Sequence, residues 1–175
     1  MSTEQEEIGN LTQLLQEQFP GAVQSYHQHR GDETVLVERS QILPICQFLR
    51  DDERSKMEMM IDLTAVDYIK ESPRFEVVYH FKSLSLEHRI RVKVRVPEED
   101  CEIDSIHELW LAVDWYEREC YDMYGIIFKN HPNLQRILMY SQFEGYPLRK
   151  DYPIGRQQPL VEMRPVNERH DYGEL

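Results

Sequence analysis

Cysteine is scarce in this 175-residue sequence: Cys46, Cys101 and Cys120 lie far apart and form no Cys-x-x-Cys pair. Neither a disulfide framework nor a thiolate set for zinc or an iron–sulfur cluster is indicated, and three reduced, partly buried thiols are expected. The seven glycines are scattered. Without Gly-x-Gly-x-x-Gly or Gly-x-x-x-x-Gly-Lys, no backbone cradle is offered to a nucleotide. A Gly-x-Ser-x-Gly elbow is also missing, and no cysteine falls in a nucleophile motif. No apolar run approaches the ~18 to 20 residues of a membrane span. The opening MSTEQEE lacks the basic and apolar stretches of a signal peptide and is too acidic for a transit peptide. Positive charge is in deficit: 20 Lys and Arg against 32 Asp and Glu give a net −12. That balance disfavours nucleic acid and anionic lipid, and leaves a protein partner or a small ligand. These absences read as a bacterial cytoplasmic protein that reaches a membrane only through a partner.

What is present fits one domain with a real core. Thr3 with Glu6 has the form of a capping box, and Ile8, Leu11, Leu15 and Phe19 follow at helical spacing until Pro20-Gly21. Residues 34–38 read as a strand, Ile42 to Leu49 as a helix, and the middle of 57–68 as a strand. Phe75, Val77, Tyr79 and Phe81 alternate with other residues, and Ile90, Val92, Val94 and Val96 alternate with Arg89, Arg91, Lys93 and Arg95. Such a pair predicts an antiparallel sheet with one face on a core and a basic face that is solvated or meets a protein. The acidic run from Glu98 to Asp104 is expected to precede a helix that Ser105 and Glu108 cap and Gly125 ends.

After residue 146 the composition changes. Pro147, Pro153, Pro159 and Pro165 recur every sixth residue, too closely for a stable helix. Residues 1–146 are therefore expected to form the compact domain, and 147–175 an extended tail that can reach at most about 95 Å. Tyr152, Ile154, Leu160, Val161 and Met163 would anchor it on a partner.

Two constellations might carry chemistry. Glu119 and Asp122 share a helical face and could act as an acid/base pair. No glycosidase or metal context accompanies them, so an i,i+4 ion pair between Arg118 and Asp122 is expected instead. His131, in a turn before Pro132, has no second ligand at metal spacing and is expected to be a hydrogen-bonded turn histidine.

The string ERECYDMYGIIFKNHPNLQRIL, followed by FEGYPLRKDYP, closely resembles the hallmark region of the small connecting subunit of complex I. That family comprises the bacterial C subunit and the chloroplast and cyanobacterial J subunit. DLTAVDY at 62–68, VVYHFKSLSLEHRIRVKVRVPEED at 77–100 and WYERE at 115–119 are similar too. The resemblance implies an α+β domain, with an antiparallel or mixed sheet, helices packed on one face, and a long extended C-terminal tail. The tail would wrap the quinone-site D subunit of the peripheral arm. No cofactor is implied on this chain: FMN, iron–sulfur clusters and quinone would belong to the parent NADH:quinone oxidoreductase. The implied location is the cytoplasmic face of the inner membrane, as a peripheral part. The hallmark residues carried over are Glu117, Arg118, Glu119, Asp122, Gly125, His131, Pro132, Arg136, Gly145, Pro147, Leu148, Arg149, Lys150, Asp151 and Tyr152, with structural and interfacial roles. Arg149 and Asp151 are expected to meet the partner. The alternatives are the equivalent subunit of a membrane-bound hydrogenase or other quinone-reducing complex, and an independent metal-dependent hydrolase using His131, Glu119 and Asp122.

Overall fold

A computed structural model of the chain describes residues 9–161. The Thr3–Glu6 capping box and the part of the tail beyond Val161 lie outside them. The elements are α1 (Asn10–Gln18), β1 (Val23–His29), β2 (Asp32–Val37), α2 (Ile42–Asp51), β3 (Met59–Asp67), β4 (Phe75–Lys82), β5 (Arg89–Val96), β6 (Glu102–Asp104), α3 (Val113–Tyr124) and β7 (Ile127–Lys129), with a 3-10 turn at Arg39–Gln41.

The fold is α+β. Five strands form a mixed sheet in the order β1-β2-β5-β4-β3, parallel only between β2 and β5. The alternation of β4 and β5 is explained by their antiparallel register, which pairs Tyr79 with Val92 and Phe81 with Ile90 on one face. That face carries the core, where Leu15 of α1, Ile45 and Leu49 of α2 and Cys120 of α3 join Val35, Val92, Tyr79 and Leu63. The short β6 and β7 pair in parallel at the side.

The basic face of β5 is neutralised within the chain. Arg89 meets Asp32 at 2.5 Å, Lys93 meets Glu76 at 3.0 Å, Arg95 meets Glu71 at 2.6 Å, and Arg91 donates to Thr34 Oγ1 at 3.1 Å. The two sheet edges differ. On β3, α3 lies alongside and its Tyr116 hydroxyl donates to the Ile61 carbonyl, which shields an otherwise open edge.

Two sequence expectations fail here. The acidic run does not lead into a helix: Glu102–Asp104 is strand β6, and α3 starts only at Val113. Ile106 and Trp110 are sunk in the core, and the Ser105 hydroxyl takes the His107 N–H at 3.2 Å without starting a helix. Strand β1 has no counterpart among the expected elements.

Candidate functional site

The residues that the sequence singles out cluster on α3 and on the chain that follows it. Helix α3 ends at Gly125, as expected, with φ +76°. A Cβ there would also lie 2.5 Å from the Tyr146 ring and 2.9 Å from Arg149 Nη2. Gly125 thus supplies both a left-handed stop and the space for the strap of residues 145–152 to cross the helix end. Gly125→Ala is expected to cost roughly 2–4 kcal/mol, left-handed strain plus overpacking, measurable as a shift in the urea midpoint.

The strap is stitched down by its own residues. The Leu148 N–H donates to the Met123 carbonyl at 3.1 Å, and Arg149 Nε donates to the Tyr124 carbonyl at 2.6 Å, so two orphan groups of the helix C-terminus find partners. The Arg149 guanidinium also lies 4.9 Å from the Phe75 ring centre and 4.8 Å from that of Tyr146. One step further, Arg74 is almost fully buried. It donates twice to Asp67, at 2.9 and 2.8 Å, twice to Asp151, at 3.1 and 2.8 Å, and once to Glu98, at 2.7 Å. The Lys150 N–H adds a third donor to Asp67 at 2.7 Å. Hydrogen bonding from Arg74 holds the pKa of both Asp67 and Asp151 below the ordinary carboxylate range. Arg149 and Asp151, expected to meet a partner, are therefore spent on the chain's own domain, and the segment beyond Tyr146 begins as part of it. The Lys150 side chain, by contrast, is exposed.

A second knot fixes the loop between β7 and the strap. Asp122 is completely buried and accepts the N–H groups of Ile137, Leu138 and Met139 at 3.1, 2.7 and 2.8 Å, and Arg136 at 2.7 Å. Burial alone would raise its pKa, but these donors together hold it low. Arg136 also donates to the Gly145 carbonyl at 3.0 Å. The expected Arg118–Asp122 pair does not form, because Asp122 points inward to this loop. Arg118 instead donates to the Gln135 and Arg136 carbonyls and lies 5.3 Å from the Trp115 ring centre.

Glu117 and His131 form a third group. Glu117 is fully buried and accepts the Ser105 hydroxyl at 2.5 Å and the Ile106 N–H at 2.9 Å. Burial overrides those two donors and pushes its pKa up to about 7. The buried His131 ring, 3.9 Å from Glu117, turns Nε2 toward Asp114 and accepts the Asn133 N–H on Nδ1, the turn role expected of it. Pro132 follows it on the surface. Glu119 is exposed while Asp122 and His131 sit in separate knots, so the hydrolase constellation is not assembled. Among the described residues, no group of three or more His, Cys, Asp or Glu is placed to hold a metal. Sequence reasoning missed Arg74, Asp67 and Ser105 as site residues, since their roles come from partners between 7 and 83 positions away.

Past Asp151 the chain folds back on the same loop. Tyr152 stacks on Phe143 with ring centres 6.0 Å apart, Arg156 meets Glu144 at 2.5 Å, and Gln158 receives the Glu144 N–H at 3.0 Å. Gly145, at φ +90°, passes beneath the Tyr152 ring. Pro147 opens the strap beside Leu148. Leu148, Ile154, Leu160 and Val161 remain exposed on this lobe, Ile154 and Leu160 completely so, and Leu138 and Trp115 are exposed nearby on the loop and on α3. A rigid base displaying uncovered apolar side chains is the form of a protein-binding surface.

The model of the family described as respiratory-chain NADH dehydrogenase, 30 kDa subunit, matches residues 35–158. Among curated proteins, the C subunit of the NADH-quinone oxidoreductase of Hyphomonas neptunium is 48% identical over 84% of this chain and 72% of its own length. That of Citrifermentans bemidjiense is 51% identical over 80% and 86%. The trypsin-resistant fragment of Nqo5 is a similar solved structure, with TM-score 0.60 and 28% identity over 71% of this chain and 98% of that one. So is a chain of an archaeal respiratory membrane complex, the membrane-bound sulfane sulfur reductase, with TM-score 0.66 and 25% identity over 82% and 84%.

Proposed function

Because the chain belongs to the 30 kDa subunit family of respiratory-chain NADH dehydrogenase, we propose that it works as a connecting part of that complex, bearing no cofactor and catalysing no step itself. Its partner in this reading is the quinone-site D subunit, with other peripheral-arm subunits beside it. Electrons pass from NADH through FMN and iron–sulfur clusters to quinone in those other chains. The chain sits at the cytoplasmic face of the inner membrane, held there by the complex. No helix among the described residues is long and apolar enough to cross a membrane.

The observation that carries this reading is the contrast along the strap. Its first half is stitched to the domain through Arg149 and Asp151, while Ile154 and Leu160 just beyond are wholly exposed. Each costs about 1.5–3 kcal/mol to leave in water relative to full burial, so covering them is a source of binding energy. Charged groups on the same lobe, such as Lys150, would then set register more than affinity.

The test is affinity purification of the tagged chain from native membranes. The wild type is expected to bring down the quinone-site subunit and the NADH-oxidising module, and a chain with Ile154→Asp and Leu160→Asp is expected to lose them while keeping its urea midpoint. Recovery of a hydrogenase or sulfur-reducing large subunit in their place would move the chain to a relative of complex I, the reading that the sulfane sulfur reductase likeness favours. Undiminished recovery with the double variant would overturn the proposed surface.

A further inference from the structure

The Glu117 group does more than hold α3 in place. A fully buried carboxylate is ordinarily matched by a cation, yet within hydrogen-bonding distance Glu117 has only the Ser105 hydroxyl and the Ile106 amide. The nearest basic nitrogen, Nε2 of His131, is 3.9 Å away and shared with a second carboxylate, Asp114. Nε2 lies 2.9 Å from Asp114 Oδ1 and 3.3 Å from the Asp114 carbonyl oxygen, and its N–H is aligned with the carbonyl. Asp114 Oδ1 is thus left buried without a donor. Two carboxylates and one imidazole therefore share a pocket that holds too few protons for its acceptors.

We infer that Glu117, His131 and Asp114 form a buried proton-binding site in which Glu117 carries a proton at neutral pH and His131 stays a neutral imidazole. The inference goes beyond the assembly reading and stands independently of it. In this state the Glu117 O–H donates to Ser105 Oγ, and the Ser105 O–H is free to donate to His107 Nδ1, 3.1 Å away. His107 lines an open cleft with Arg50, Gln47 and Asn130, so the Ser105–His107 pair links the buried carboxyl to solvent. Removing the proton leaves a negative charge beside Asp114 in a site that offers it no cation.

The surroundings favour the neutral form. From β4 and α2, Tyr79 and Cys46 face the same region, and burial first and the Glu117 charge second push both groups up, so neither ionises. Cys120 on α3 is raised in the same way, by burial, Glu119 and Glu117. Burial lowers His131, with His107 and Arg118 opposing its protonation and Asp114 favouring it. Asp104 of β6 is occupied by Lys129 at 3.4 Å.

The experiment is a carbon-13 NMR titration of glutamate side-chain carboxyls in the full chain. One glutamate is expected to titrate about two pH units above the ordinary range, and that signal is expected to vanish in Glu117→Gln. Nitrogen-15 spectra of His131 are expected to show a neutral ring at the same pH. If Glu117→Gln does not fold, Ser105→Ala supplies the assignment, since losing that donor moves the same midpoint further up. A wild-type chain in which every glutamate titrates in the ordinary range, or in which His131 is protonated at neutral pH, overturns the inference.

Discussion

Replacing Arg74 with methionine is expected to destabilise the domain by roughly 3–5 kcal/mol, the usual consequence of stranding a buried charge by removing its partner. The stranded group is Asp67, 1% exposed in its side chain, which would fall from three donors to the single N–H of Lys150. The exposed ends of the cluster contribute little by themselves, because Asp151 and Glu98 are about half open to solvent and screened. Two measurements separate the buried from the exposed part. In urea, Asp151→Asn is expected to cost far less than Arg74→Met, and Asp67→Leu added to Arg74→Met is expected to recover a good share of the loss. In acid, the sign follows from a folded-state pKa for Asp67 that is depressed below its ordinary value. The wild type gains stability from Asp67 above the ordinary value of 3.8 and loses it as pH falls through the lower folded value. With Arg74→Met that acid loss is expected to disappear, since the depression has gone. Equal sensitivity at Asp151 and Asp67 would show that the surface ion pair, not the buried carboxylate, does the holding.

How much of this is legible in the sequence depends on whether a residue's role is set by its neighbours along the chain. Strands β4 and β5 alternate cleanly because each has one face on a core, and Gly125 stops α3 because the left-handed stop is a local matter. Strand β1 escapes because its residues, VQSYHQH, are nearly all exposed at an outer edge and carry no apolar period. Its one local signal is the Arg30-Gly31 turn, both residues at positive φ, of the kind that joins two strands of a hairpin. Ser105 and Glu108 imitate a capping box, but the hydroxyl is claimed by Glu117, twelve positions away. Likewise Arg118 and Asp122 have the right spacing for a pair, and Asp122 turns inward because three consecutive amides of the following loop satisfy it better than one guanidinium can. Polar residues in buried knots are the ones that spacing rules misassign, since their partners are chosen by the tertiary fold. Family resemblance finds most of them as residues that matter, without saying to what they attach.

The tail gives the largest expected separation between folding and assembly, because the structure divides it in the middle and not at Pro147. A chain ending after Tyr146 loses the Leu148, Arg149 and Asp151 stitches, reopens the C-terminus of α3 and uncovers Phe75, which is fully buried in the whole chain. It is expected to unfold several kcal/mol more easily, with each lost charged hydrogen bond worth about 1.5–3 kcal/mol. A chain ending after Pro159 keeps those stitches and the Tyr152–Phe143 stack, and loses Leu160, Val161 and everything beyond. Its urea midpoint is expected to stay within experimental error of the full chain, while the yield of intact complex from cells falls at least tenfold. The same logic applies to Arg149→Glu. Arg149 is wedged between Phe75 and Tyr146 and bonded to the helix end, so reversing its charge is expected to lower the stability of the free domain as much as it lowers assembly. A charge on the partner-facing side would weaken assembly alone. Normal assembly by the Pro159 chain would place the partner surface upstream, on Trp115 and Leu138, and would remove the tail from the proposed role.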